Sequence, residues 1–400
     1  MPLWDPSRRA DPYGYYAELR RERPVFRATV PGRGAVWVVT RHADVAALLK
    51  DPRFSNDRRG SGVPSPFFGG LPMPRAVRTL SSTMVGADDP AHARLRSLVG
   101  RAFTPRRIAG LEGRVERIAE ALLDAAAPRG RMDLIADFAL PLPFTVIAEL
   151  LGVPAAMRAE FRARVGAIMA PPRSLPLRVA LWLPRLIRFV GFFERLVEHR
   201  RREPDDALIS ALVAAGREGD RLSPTELVAM VFLLFFAGHE TTVNLVGNGT
   251  LALLDAPDQL AALRAEPALM ADAVEELLRF TNPVEALAMR YTRATVRVGG
   301  VDIPPRSTVM ALISAANRDP AAFAEPDRLD VRRRDNRHLA LGAGAHYCLG
   351  ASLARLEGRV AFSALLARFP RLRLAVPRSA VAWRDPGALR GLRALPVRWD

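Results

Sequence analysis

The chain has 400 residues, 49% of them hydrophobic, which is enough for a large core and excludes a disordered or fibrous class. Its formal charge of +16 comes almost wholly from arginine, with Lys50 the only lysine. The arginines are scattered through every helical segment instead of forming a stripe with interleaved aromatics, so the charge is a compositional bias and not a nucleic-acid face.

The first residues, Met-Pro-Leu-Trp-Asp-Pro-Ser-Arg-Arg, contain no apolar stretch of signal-peptide length, and no transmembrane segment is expected; the expected location is cytoplasmic. Ala35 to Thr40 is β-rich and opens a small sheet, followed by a short helix through Val45 to Lys50 and a turn at Asp51-Pro-Arg-Phe-Ser. Arg53 to Pro74, rich in glycine, proline and serine and carrying Phe67 and Phe68, reads as a long irregular segment of the kind that serves function. Asp88-Asp-Pro-Ala-His92-Ala-Arg-Leu-Arg96 opens a helix, and His92 and Arg96 share one face at i,i+4; spacing alone makes this a solvated face. Helical periodicity continues through Leu111–Ala127, Pro143–Leu151 and Pro154–Met169. The apolar stretch from Pro171 that follows is broken by prolines, and the 175–193 stretch is a candidate for contact with a membrane surface.

Ser223-Pro-Thr-Glu226 is a capping box, and the apolar run behind it reaches Asp255, a helix of about 45 Å. It is hydrophobic all round over Val231–Gly238, which predicts a path through the protein centre; His239, Glu240 and Asn244 would be costly in lipid. Glu276-Leu-Leu-Arg279 puts opposite charges on one helical face. Thr295–Val298, the Gly299-Gly300 turn, Val301–Ile303 and Thr308–Ile313 read as short strands.

Cys348 is the only cysteine, so it forms no intramolecular disulfide; as a chemical group it is a nucleophile or a metal ligand, and otherwise a small buried hydrophobe. Gly342, Gly344 and Gly350 allow close backbone approach to something flat, and a helix expected from Leu349 to Phe369 points its positive end at the sulfur, favouring a thiolate. A thiolate that leaves iron open on its far side is one of the axial ligations of heme.

Leu341-Gly-Ala-Gly-Ala-His-Tyr-Cys348-Leu-Gly350 resembles the heme-binding loop of the cytochrome P-450 superfamily, with Leu341 where that family usually has phenylalanine. Ala237-Gly-His-Glu240-Thr241-Thr resembles its oxygen-binding segment, and Phe323-Ala-Glu-Pro-Asp-Arg328 its meander, whose arginine completes a cluster with Glu-x-x-Arg. The resemblance covers nearly the whole chain and implies one domain over 1–400. The implied fold is mainly α with a minor β region, heme b lying between the long central helix and the helix after the cysteine loop.

By the same resemblance Cys348 ligates iron, and His92, Arg96, Arg290, His346 and Gly350 contact heme. Ala237 and Gly238 make room for cofactor and oxygen, while Glu240 and Thr241 supply protons. The implied activity is insertion of one atom of dioxygen into a hydrophobic small molecule. No strand-associated Gly-x-Gly-x-x-Gly is present, so electrons are expected from a separate ferredoxin or flavodoxin with its reductase. A basic rim of Arg101, Arg106, Arg107, Arg332, Arg333, Arg334 and Arg337 is expected to be exposed and to dock that donor. Phe67–Phe68, Met169, Phe235 and Glu285–Met289 are expected to line an apolar substrate pocket. Two rivals are a non-catalytic relative acting as a partner protein and a peroxide-using or isomerising heme-thiolate enzyme.

Overall fold

The computed structural model describes the whole chain except residues 1–2, 31–33, 64–73, 170–174, 216–219, 288 and 386, and of 6, 169 and 175–181 it describes the backbone only. Phe67, Phe68 and the Met169 side chain therefore lie outside the described residues. The chain falls into two compact units, one of Met1–Gly69, Ile108–Pro143 and Gly238–Asp400, the other of Gly70–Arg107 and Phe144–Ala237.

The first unit holds every described strand. Its five-stranded sheet runs in the order Val25–Val30, Gly34–Val39, Thr308–Ala311, Arg290–Thr292 and Phe54–Ser55. The edge strand Val25–Val30 is absent from the sequence reading, because Phe-Arg-Ala-Thr-Val alternates only weakly; pairing in register with Gly34–Val39 and burial of Val25, Phe26, Ala28 and Val30 hold it in place. The two-residue hairpin at Gly299-Gly300 forms as the sequence predicts, with both glycines at positive φ (54° and 84°) and Val298 opposite Val301.

Within this unit the part of Pro224–Leu254 after Gly238 meets the helix Ala351–Arg368 through glycines. An added Cβ on Gly249 of Pro224–Leu254 would lie 2.5 Å from Phe362 of Ala351–Arg368, and one on Gly358 would lie 3.2 Å from both Leu245 and Val274. Small residues at the crossing bring the two backbones close, and Leu277, Leu278 and Leu366 complete a dry core around it. Pro224–Leu254 is the one described helix long and apolar enough to cross a bilayer, and half of its most apolar stretch is buried in protein.

The second unit is helical. Phe144, Phe161, Phe189, Phe192, Phe193 and Phe235 interlock, Phe161 and Phe235 with ring centres 4.7 Å apart. Phe235 is 2% exposed, so it is a core residue of this cluster and not the pocket-lining residue expected from sequence. The prolines after 174 do not break the chain: Leu175–Arg202 is one helix with Pro184 inside it. Leu186, Phe189, Val190, Phe193 and Val197 are buried at helical spacing, and this burial outweighs a proline penalty of about 3 kcal/mol. Trp182 and Ile187 remain exposed on its surface.

Candidate active site

The helix after the cysteine starts at Ala351, two residues later than the periodicity places it, with Gly350 as its cap. The approach is built on left-handed glycines: Gly342 has φ +74°, and Gly344 has φ +70° with a Cβ position only 2.8 Å from the Leu49 carbonyl. No other residue type fits Gly344. The Cys348 N–H donates to the Leu341 carbonyl at 2.9 Å, closing the loop. None of residues 341–350 is buried, and Cys348 itself is half-exposed. Cys348 is therefore not closed into the core as a small hydrophobe. A Cβ added to Gly350 would stand 3.9 Å from Sγ. A half-exposed lone thiol, with glycines at its sides and a helix N-terminus behind it, fits a large flat metal-bearing group held by one protein ligand. His346 Nε2 and Asn56 Nδ2 are hydrogen-bonded at 2.6 Å, which fixes the loop to the turn after Phe54–Ser55.

Behind the loop lies a network the sequence only partly reveals. Arg355 donates to both oxygens of Glu275 at 2.7 and 2.8 Å and reaches the Tyr347 hydroxyl at 3.2 Å, while His338 Nε2 lies 3.2 Å from Glu275. Burial alone would raise the Glu275 carboxyl, but the hydrogen bonds from Arg355 and His338 bring it down to about 2. Next to it Glu276 and Arg279, both fully buried, form a bidentate pair at 2.7 and 2.8 Å. The third member is Arg333, at 3.1 Å from Glu276, and not the expected Arg328, which is exposed and bonds Glu325. The two arginines are five positions apart, and only the path of the chain through Asp330 and Asn336, which both donate to Glu276, decides between them.

On the central helix the side chains alternate sharply around 237. Phe235 and His239 are buried, whereas Phe236 and Ala237 are exposed and Gly238 is half-exposed. His239 is pushed down to about 4 by burial and next by the Arg384 charge, against a hydrogen bond to the Leu140 backbone, so it is neutral at pH 7. Glu240 pairs with Arg384 at 2.9 Å. Burial pushes the Glu240 carboxyl up, opposed by the Arg384 charge and hydrogen bond. Thr241 is half-buried. Thr242 is buried and donates to the Gly238 carbonyl at 3.1 Å, the back-bonding that competes with any other use of a helical threonine.

Sequence reasoning missed Glu357. It is 1% exposed on Ala351–Arg368, burial pushes it up to about 8, and a contact with Thr242 opposes that rise. Its Oε2 has no hydrogen-bond partner among the described residues. Leu353, Leu356 and Val360 are buried on the same face, so an acid at a core position of an amphipathic helix was the available signal.

The remaining expected residues lie on several elements of the chain. Arg290 is 6% exposed at the start of its strand, opposite Val309. His92 and Arg96 belong to the second unit, on the helix Ala91–Ala102; His92 is buried with Nδ1 at 3.3 Å from Asp89, and Arg96 is half-buried. They are thus not the solvated face that spacing alone gives. Of the expected basic rim, Arg101, Arg106, Arg332, Arg334 and Arg337 are exposed, but Arg107 is half-buried and Arg333 is taken by Glu276. Glu285 does not line an apolar pocket: it is fully buried and bonded to Arg9 and Tyr16.

A family model described as Cytochrome P450 matches residues 186–375. The chain is 44% identical to the cytochrome P450 monooxygenase PikC of Streptomyces venezuelae, over 98% of this chain and 91% of that one. It is 43% identical to 6-deoxyerythronolide B hydroxylase of Saccharopolyspora erythraea, covering 98% and 96%. A solved structure of the cytochrome P450 PksS of the Bacillus subtilis bacillaene polyketide synthase superposes with a TM-score of 0.90 at 40% identity, covering 98% of each chain. Fold and relatives together define a heme-dependent oxygenase. The chain belongs to the cytochrome P450 family: it is a monooxygenase whose cofactor is heme b, with the mainly α, minor β fold of that family.

Proposed function

We propose that Cys348 is the one protein ligand of the heme iron, that His92, Arg96, Arg290 and His346 receive the propionates, and that Ala237, Gly238 and Gly350 lie against the cofactor. The observation that carries this reading is a half-exposed cysteine on a ten-residue loop none of whose members is buried. When bound, heme supplies the reductive activation of dioxygen, one atom going to substrate and the other leaving as water. The chain's own part is to orient and to move protons. The Glu240 carboxylate takes a proton from the solvent side and passes it to the Thr241 hydroxyl, while neutral His239 adds no competing charge. Glu357 and Thr242 hold a second proton behind that turn of helix.

The substrate is a hydrophobic small molecule of polyketide type, in keeping with the polyketide synthase that one relative's title states, and hydroxylation, which another relative's name states, is the expected reaction. Electrons come from a ferredoxin or flavodoxin with its reductase, in the cytoplasm, and the chain works as one domain over 1–400. A non-catalytic partner role is disfavoured because Cys348, Glu240 and Thr241 are all present.

The test is reconstitution with a reduced ferredoxin and a panel of polyketide aglycones, selected by the spin-state change on binding. Thr241→Ala should bind heme and substrate as wild type, but lose product by about 10²-fold while releasing hydrogen peroxide. Product per electron equal to wild type would remove Thr241 from the mechanism.

A further inference from the structure

We propose that Arg384 is a positioning residue for proton delivery: it ties the Glu240 carboxylate to the C-terminal hairpin, and opening of this ion pair frees Glu240 to take up a proton and pass it on. The inference rests on the proton role of Glu240 proposed above.

The contact looks built. Arg384 Nη1 donates to Glu240 Oε1 at 2.9 Å across 144 residues of chain. Its sequence neighbour Asp385 is not used; that carboxylate is bonded by Arg393 at 2.6 Å. The hairpin behind Arg384 is closed by Arg384 N–H to Gly391 O at 2.9 Å, by Arg393 N–H to Ala382 O at 2.8 Å and by the bridge between Trp383 and Leu392. The amino-terminal segment clamps it from outside. Arg9 Nε donates to the Arg384 carbonyl at 3.1 Å, Arg9 is itself held by the buried Glu285, and Arg390 donates to the Arg9 carbonyl at 2.7 Å. Glu285, expected to face substrate, instead anchors the residue that anchors Arg384.

Two features make this pair a gate and not a permanent tie. Its ends are unequal, the Glu240 side chain 14% exposed and that of Arg384 33%, so water reaches the pair from the arginine side. The forces on the carboxyl are also opposed, burial favouring the neutral acid and the guanidinium favouring the anion. The charged or titratable groups near Glu240 among the described residues are Arg384 from the hairpin and, on its own helix, His239, which is neutral. While the pair is closed the guanidinium holds back part of the rise that burial gives the Glu240 carboxyl. Once it opens, burial acts unopposed, and the carboxylate gains a proton from water.

Because the recorded backbone contacts of Arg384 use only its N–H and C=O, Arg384→Gln should leave the hairpin intact. The test is a pH titration of the carboxyl infrared bands in the ferric holoenzyme, with Glu240→Gln identifying the Glu240 band. In Arg384→Gln the Glu240 midpoint should move up by about one pH unit or more, and Arg384→Lys should restore it towards wild type. The pH profile of product per electron should shift the same way with KM unchanged. A wild-type midpoint and profile in Arg384→Gln, beside an uncoupled Glu240→Gln, would overturn this inference alone. A fully coupled Glu240→Gln would overturn it together with the proton role of Glu240.

Discussion

Glu275 and Glu276 behind the cysteine loop and Glu240 and Glu357 on the two long helices are all partly or fully buried, yet they meet opposite surroundings. Behind the loop, guanidinium groups from Arg279, Arg333 and Arg355 converge on two carboxylates, and Glu275 stays ionised far into acid. On the long helices Glu240 has one arginine and Glu357 has only a hydroxyl, and both carboxyls are raised. The first arrangement makes a rigid support, because each carboxylate oxygen is fixed by directed donors. The second raises both acids above the ordinary carboxylate range, which suits groups that must exchange protons.

The sharpest way to break this comparison is at the support. Arg279→Ala leaves Glu276 buried and poorly compensated and should cost about 3–5 kcal/mol, read as a fall in the urea midpoint and in heme content. Arg333→Ala should be damaging too, whereas Arg328→Ala should shift stability by less than about 0.5 kcal/mol. Equal effects at 328 and 333 would return the cluster to the arginine that the sequence motif pointed to.

The Glu357 carboxyl should show itself in the pH dependence of stability. Glu357 titrates at 4.5 when unfolded and about 8 when folded, so the fold binds its proton more tightly. Its contribution is fully present below about pH 4.5 and is lost as pH rises through 8. Glu357→Gln should flatten that decline and be more stable than wild type above pH 8 in urea unfolding. An unchanged slope would mean that Glu357 is ionised in the fold.

Glu275 has the reverse sign. Its folded value of about 2 lies below 4.5, so its contribution is present above pH 4.5 and fades as pH falls through 2. Glu275→Gln should lower stability at neutral pH and make acid unfolding shallower, a smaller effect because Arg355 is 40% exposed. Smallest of all is the electrostatic steering of the electron donor. Arg106→Glu should slow reduction by ferredoxin at low salt by a factor of a few, and the difference should vanish near 1 M salt while dithionite reduction stays the same.

What was legible in the sequence was local. Cys348, its three glycines, the Glu276-x-x-Arg279 pair and the Gly299-Gly300 hairpin each declare themselves within ten residues, because a turn or one helix face decides them. The partnerships that set charge states were not legible. Arg384 meets Glu240, Glu357 meets Thr242 and Arg9 meets Glu285 only after the chain has crossed from one end to the other. Burial also overrode local signals, turning Phe235 inward and carrying the helix Leu175–Arg202 through Pro184.

The central claim is that the lone sulfur of Cys348 binds the heme iron, and the spectrum of the reduced protein under carbon monoxide tests it most directly. Wild type should show the strongly red-shifted Soret band of thiolate ligation, and Cys348→Ala should lose that band even where some heme is retained. A Cys348→Ala protein that kept the band would contradict the account.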